Sequence, residues 1–365
     1  MKEIKGIAIY LPQYHPIKEN DKWWGNGFTE WRNVVKGKVI IKGQYQPHLP
    51  LDLGYYDLRL PEIREAQAEL AKNSSIHGFC YYHYWFKGKR LLDLPINNVL
   101  ESKKPDFPFC LCWANENWSR NWDGRSKNML LEQAYNEEDD LAHIQFLCKE
   151  VFTDSRYIKV DGKPLFVVYR PELFPDFKKT ANIWRNEAKK LGFPDLYLGF
   201  FWTFESNIHP DKFGLDFAAQ FPPNKYEIKR KISLLGRVLV KLGMGITLRQ
   251  KYQIYEYKQL VKYSENFEYN KDFTLFPGIT PMWDNYVRRR NGGGRIFLNS
   301  TPELYKKWLN DICKRWNPKS SSENFLFINA WNEWAEGNHL EPCEKWGHQY
   351  LDATREVLSK YKSNE

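Results

Sequence analysis

Phe325-Leu326-Phe327-Ile328-Asn329-Ala330-Trp331-Asn332-Glu333-Trp334-Ala335-Glu336 moves in twelve residues from an unbroken apolar run to two carboxylates set among tryptophans. A short apolar run that stops at polar residues reads as a buried strand. The same shape comes seven times before it, at 6–10, 78–84, 107–114, 164–169, 196–202, 216–221 and 275–281, so that 325–331 is the eighth. Between the runs lie helical periods. Ile63, Ala66 and Leu70 share a face within 62–72, and Leu141, Ile144, Cys148 and Val151 share one within 137–152. Phe177, Ala181, Trp184, Ala188 and Leu191 keep that spacing, as do Tyr305, Trp308, Ile312 and Trp316, and a last helix is expected over 347–361. Strands alternating with helices make parallel sheet, and eight of them favour an α/β fold closed as a (β/α)8 TIM barrel over an open doubly wound sheet. A chain of 365 residues holds such a barrel, of about 250 residues, with long loops at its C-terminal rim. One catalytic domain over 1–365 is expected.

Charge narrows the partners. The formal net charge is +9, yet 225–262 alone holds ten Lys or Arg against two Glu, a net of +8. The rest of the chain therefore has no basic face, which argues against nucleic acid as a partner. The segment 225–262 is expected to be a basic helical insertion between strands six and seven. Ile232, Leu235, Leu239 and Leu242 fall near one face, which suits either packing on the barrel or peripheral contact with an anionic membrane, while Gly236, Gly243 and Gly245 weaken a long regular helix. No apolar run approaches the roughly 20 residues of a membrane span. The first strand leads straight into Pro12-Gln13-Tyr14-His15 with no small-residue cleavage site, so a cytoplasmic location is expected. The six cysteines lie in apolar patterns and read as reduced, buried thiols. Without a Gly-x-Gly-x-x-Gly after the first strand or any Gly-x-x-x-x-Gly-Lys, no nucleotide cofactor is expected, and no other cofactor is indicated.

In a barrel, chemistry collects in the loops after the strands, and the unusual residues fall there. Tyr10 closes the first run and Gln13, Tyr14, His15, Trp24 and Trp31 follow it. The second run ends in Tyr82-His83-Tyr84, and the third in Trp113 with Asn115, Glu116, Trp118, Arg120 and Trp122 behind it. Tyr169 ends the fourth and Trp202 the fifth, Trp283-Asp284-Asn285 follow the seventh, and Trp331, Asn332, Trp334 and His339 accompany the eighth. Aromatic residues make up 16% of the chain, 15 of them Trp, too many at these places for core filling alone. Sugars present apolar C–H faces and a rim of hydroxyls, which flat aromatic rings with interleaved polar groups recognise. These residues are accordingly candidate glycan-binding groups.

Glu333 and Glu336 stand three apart and share a face if the chain takes a helical turn there. Two carboxylates in unlike environments divide acid and base roles, as cleavage of a glycosidic bond requires. They are the candidate catalytic pair. Glu116 is a competing acid or base, and a solvated helix start is the bland alternative. His15, His83 and His339 come from scattered loops without metal-ligand spacing, so hydrogen bonding to hydroxyls is the expected use and no metal is expected.

At these residues the chain resembles the WbsX-like proteins, a branch of bacterial polysaccharide-locus proteins similar to glycoside hydrolase family 99. The resemblance covers nearly the whole chain. It rests on the motifs at 10–16, 24–31, 78–85 and 112–118, and on Asn329-Ala330-Trp331-Asn332-Glu333-Trp334-Ala335-Glu336-Gly337. The resemblance implies a barrel that cleaves internal α-mannosidic bonds with retention. Glu333 would deprotonate the sugar 2-hydroxyl, which displaces the leaving group through a 1,2-anhydro intermediate, and Glu336 would act as acid and then base. Where the family usually has His between the two acids this chain has Ala335, so sugar and linkage do not carry over. The implied substrate is a bacterial surface polysaccharide or its precursor, lipid-linked precursors included. WbsX-like proteins have also been labelled glycosyltransferases, which makes transfer in O-antigen or capsule biosynthesis the alternative, although no Asp-x-Asp occurs in the chain. A binding module without catalysis gives no reason for a Glu-x-x-Glu pair between tryptophans.

Overall fold

The structure is a computed structural model that describes residues 3–119, 129–203, 208–224, 252–289 and 292–362. Eight positions round a ring are filled by β1 (Lys5–Tyr10), β2 (Ile76–Phe86), β3 (Phe109–Trp113), β4 (Lys163–Val168), β5 (Tyr197–Trp202), β6 (Phe217–Gln220), β7 (Thr274–Phe276 with Gly278–Ile279) and β8 (Phe325–Ile328). Each expected apolar run supplies one of them. Every neighbouring pair is parallel, and β1 pairs with β8 in the register Lys5 to Phe325, which joins the two ends of the order. Pro277 has no N–H to give and splits β7. Its first half pairs with β6 and its second with β8. The fold is a (β/α)8 barrel.

Helices cover the ring: Pro61–Asn73, Leu94–Ser102, Glu137–Phe146 continued by a π turn over Leu147–Val151, Phe177–Lys190, Tyr257–Ser264, Pro302–Arg315 and Gln349–Leu358. Asn136, Asp176 and Thr301 start three of them by accepting from Asp139, Lys179 and Leu304 backbone N–H groups. Two expected helix faces need correction. Pro61–Asn73 buries Arg64, Gln67, Ala68 and Ala71, whereas Ile63, Ala66 and Leu70 are only half-buried. The polar pair is affordable inside because Arg64 donates to the Leu58 carbonyl at 2.6 Å and Gln67 accepts from Tyr10 Oη at 2.6 Å. In Glu137–Phe146, Leu141 is exposed and Asp140 takes the inward place, accepting from Thr180 Oγ1 at 2.7 Å.

Side chains alternate across a strand, and β1 sets the phase. A Cβ on Gly6 would come within 2.8 Å of Leu358 Cδ1 on the last helix, and Tyr10 reaches Gln67 on another. Gly6, Ala8 and Tyr10 therefore face the helices, and Ile7 and Ile9 face the barrel axis. Inside, Phe217 packs on Phe276 and Phe201 on Phe327, with ring centroids 4.8 and 5.5 Å apart.

Of the segment 225–262, residues 225–251 lie outside those described, and with them the four apolar residues on which the membrane reading rests. Its end is not all helical as expected: Gln253–Glu256 is a strand paired with Arg295–Leu298, where Ile254 and Tyr255 meet Ile296 and Phe297. The helix Tyr257–Ser264 then buries Tyr257, Leu260 and Val261 against the barrel. Among the described residues no helix is long and apolar enough to cross a membrane. The six cysteines are all buried thiols.

Candidate active site

A cavity of about 1010 Å³ opens at the C-terminal ends of the strands. Alternate residues at several strand ends line it: Leu11 and Gln13 after β1, Tyr82 and Tyr84 from β2, and Ala114 and Glu116 after β3, with Tyr169 and Arg170 after β4 and Phe221 after β6. Glu333 and Glu336 lie on its wall below a short 3₁₀ turn, Trp334–Glu336.

One guanidinium joins the two carboxylates. Arg288 donates from Nη2 to Glu333 Oε2 at 2.8 Å and sits with Nη1 2.9 Å from Glu336 Oε1, while Nε and Nη2 also reach Glu30 Oε2 at 3.0 and 2.8 Å. Glu30 is fully buried and Glu333 nearly so. Burial pushes the carboxyls of Glu333 and Glu336 above the usual range, and Arg288 pulls both the other way without cancelling that rise. Burial works against the charge of Arg288 as well, but Glu30, Glu333 and Glu336 outweigh it and hold the guanidinium ionised. Three carboxylates around one cation leave an excess of negative charge in a buried place, and retaining a proton relieves it. The set thus holds carboxyl and carboxylate side by side, the two forms that general acid and general base catalysis need.

The turn that carries this pair is held from behind. Asn332 accepts from the Leu11 backbone N–H at 2.7 Å and donates to the Leu11 carbonyl at 3.0 Å, tying the end of β8 to the end of β1. Tyr14 Oη donates to the Asn332 carbonyl at 2.6 Å and accepts from the Trp334 N–H at 3.2 Å. Trp334 stacks on His339, with centroids 3.7 Å apart, and donates from Nε1 to Glu341 Oε2 at 2.6 Å. Gly337 ends the turn at φ 54°, and a Cβ there would meet the Asp284 backbone nitrogen at 3.2 Å. That close approach lets the Asp284 N–H reach the Glu336 carbonyl at 2.6 Å.

Residues 6–354 match the model of the family described as glycosyltransferase WbsX. The chain belongs to this family. It is 41% identical over 362 residues to the uncharacterized protein WxcX of Xanthomonas campestris pv. campestris, in strain B100 and again in strain ATCC 33913. The match takes in 97% of this chain and 49% of the relative, so the chain spans about half the length of the curated relatives it matches. Among solved structures it is similar to a glycoside hydrolase-like protein at a TM-score of 0.61 and 14% identity, covering 98% of this chain and 94% of the other. It is also similar to the GH99 endo-alpha-mannosidase of Bacteroides thetaiotaomicron, with a TM-score of 0.58, 14% identity, and 99% and 98% covered. At such identities these two establish the barrel.

In this WbsX-family chain the cavity gathers nine of the residues expected from the sequence to bind glycan: Gln13, Trp24, Tyr82, Tyr84, Glu116, Trp118, Tyr169, Trp283 and Asn285 line it beside Glu333 and Glu336, with Leu11 in place of Tyr10. The others have other places. Tyr10, His83, Trp113 and Trp202 stand on the helix-facing side of their strands: His83 Nε2 lies 3.0 Å from His143 Nε2, Trp113 packs on Trp184, and Trp202 packs on Phe267 and Phe273. Tyr14, Trp31, Asn332, Trp334 and His339 are buried in the support of the turn that carries Glu333 and Glu336, and Trp331 is buried against Phe79. His15 is buried outside the cavity lining. Asn115 bridges the Arg170 backbone, accepting from its N–H and donating to its carbonyl, both at 2.8 Å. Asp284 caps the next 3₁₀ turn and accepts from Gln44 Nε2 at 2.7 Å. Arg120 and Trp122 lie outside the described residues.

Glu116, the competing acid, faces the cavity but is held by Arg170 at 2.7 Å. Sequence reasoning missed Arg288, Glu30, Trp23, Arg170, Arg289 and Arg295. For Arg288 a signal existed, since buried carboxylates at one strand end demand a cation from a neighbouring one, and 288–290 is a run of arginines.

Proposed function

We propose that this chain is a retaining carbohydrate-active enzyme that breaks a glycosidic bond through Glu333 and Glu336. The observation that carries the reading is the pair itself: the buried carboxyl of Glu333 and the part-buried one of Glu336 lie on the wall of a large cavity, bridged by Arg288, and with Glu30 they share too little positive charge for all to be ionised. Glu333 takes the proton of the sugar 2-hydroxyl, O2 attacks C1, and the C1–O bond to the leaving group breaks as Glu336 gives its oxygen a proton. Glu336 then deprotonates an incoming hydroxyl, which opens the three-membered ring at C1 while Glu333 returns its proton to O2. Two inversions give retention. A 2-hydroxyl trans to the leaving group is required, which suits an α-mannoside-like linkage. A glycan of a bacterial surface polysaccharide or its precursor is the substrate class, and the family and the glycoside hydrolases to which the barrel is similar support a glycan.

Water as the incoming group makes the enzyme a hydrolase, and a sugar hydroxyl makes it a transglycosylase. The family's description favours the second as the alternative. Incubation of the protein with the polysaccharide repeat unit of its source, followed by mass spectrometry, separates them by product mass. Glu333→Gln and Glu336→Gln are each expected to lower turnover at least about 100-fold with the fold intact. Near-normal turnover in either, alongside loss in Glu116→Gln, would move the chemistry to Glu116.

A further inference from the structure

The cavity is lopsided. Trp23, Tyr84 and Trp118 pack edge to face on the side of β1 to β3 and offer a sugar its aromatic platform. On the side of β7, four places round the ring from β3, the wall carries Arg289 and Arg295. The cavity's other two arginines are matched: Arg170 by Glu116 and Glu172, Arg288 by Glu30, Glu333 and Glu336. Arg289 and Arg295 have no carboxylate partner among the described residues.

Their placement is built. Arg295 donates from Nε to Gln253 Oε1 at 3.1 Å and from Nη1 to Asn224 Oδ1 at 3.3 Å, two neutral carbonyls that orient a guanidinium without cancelling its charge. Its Nη2 has no protein acceptor among the described residues. Its backbone N–H is fixed by Asn285 Oδ1 at 2.8 Å, and a Cβ on Gly294 would lie 3.2 Å from Arg289 Cβ, so the backbone beside Arg295 lies against that of Arg289. Arg289 lines the same cavity as Glu116 and Glu336. Two unmatched like charges on one wall repel, and an anion relieves the repulsion through charge-assisted, forked hydrogen bonds.

We infer that the β7 wall binds an anionic group carried by the glycan, a carboxylate or a phosphate. The inference rests on the reading of the cavity as a glycan site and is independent of which bond is broken. Two matched pairs of probes test it by calorimetric or NMR titration: methyl glucuronide against methyl glucoside, and mannose 1-phosphate against mannose. In the unaltered protein one charged probe is expected to bind at least about tenfold more tightly than its neutral partner, with the advantage shrinking at high salt. In Arg289→Gln and Arg295→Gln, and in the double variant, the charged probe falls to the affinity of the neutral one. Preference for the glucuronide alone assigns a uronate, and preference for the phosphate alone assigns a phosphorylated or diphosphate-linked sugar. No preference in either pair up to about 10 mM, or a preference that survives the double substitution in folded protein, overturns the inference. Turnover measurements keep the two readings apart: an anion preference with full activity in Glu333→Gln and Glu336→Gln defeats the catalytic assignment alone.

Discussion

Arg288 decides the charge state of the site. Its three bridges to Glu30, Glu333 and Glu336 are made with a side chain only 12% exposed, where removal of one member of an ion pair leaves buried charge uncompensated. Arg288→Met is therefore expected to cost about 3–5 kcal/mol of stability and to lower kcat/KM at least about 100-fold. The pH dependence gives a sharper readout than either loss. Arg288 lowers both carboxyls, so its removal raises them further above the unfolded value, and both limbs of the pH profile move to higher pH. For stability the sign is that of carboxyls raised in the folded state. Their protonated forms favour the fold below the unfolded value, and that favour is lost as pH rises and the unfolded chain releases its protons first. The stability deficit of Arg288→Met should grow as pH rises through the folded values of the unaltered protein, for Glu333 above about pH 8, measured by thermal midpoints. A deficit that is flat in pH, with an unmoved rate profile, would mean that Arg288 acts through packing rather than charge.

At the scale of the strand, parity sorts the aromatic residues into those that line the cavity and those that hold the barrel. Tyr82 and Tyr84 face the cavity while His83 between them faces His143, and Ala114 faces in while Trp113 faces Trp184. Tyr82→Ala, at a half-buried position, is expected to raise KM for glycan with a smaller change in thermal midpoint than a core truncation. Trp113→Leu should cost about 3 kcal/mol, in the range of large core truncations, with KM nearly unchanged, since the indole touches a helix and not the cavity. The reverse split would show that the phase is misread by one residue. This is also where the sequence stopped being legible. Its eight apolar runs supplied the eight strands, and the turn after the eighth run carries the two carboxylates the cavity exposes. Tyr10, His83, Trp113 and Trp202 were misplaced because position after a strand was weighed and alternation along it was not. One residue of phase sends a side chain to the other face. Starting from Ile7 and Ile9 as the inward pair, the same sequence would have given Leu11 in place of Tyr10. Asn115, Asn332 and Tyr14 were beyond such a count, because their partners are backbone groups brought close only by ring closure.

For the whole chain, closure makes the two ends of the described structure dependent on each other. β1 and β8 are neighbours, the Ile4 N–H donates to the Tyr361 carbonyl at 2.9 Å, and Leu358 of the last helix lies against Gly6. The turn after β8 that carries Glu333 and Glu336 hangs on the same seam, through Asn332 and the Leu11 backbone. Such a ring offers no place where few contacts cross, and a boundary between independently folding parts needs one. The reading of 1–365 as a single domain therefore predicts that every probe reports the same unfolding transition. Near-ultraviolet dichroism follows the packing of the tryptophans, far-ultraviolet dichroism follows the helices, and their midpoints in denaturant should coincide. Loss of β1 gives the complementary test. Deleting residues 1–11 leaves β2 and β8 each with an unpaired edge and removes the Leu11 anchor of the turn that carries Glu333 and Glu336, so the shortened chain should lose the near-ultraviolet signal and associate through those edges. Two separated transitions in the full chain, or a monomeric shortened chain with its tertiary signal intact, would mean that the barrel does not depend on this seam. Glu333 and Glu336 would then owe their placement to the strand-eight side alone.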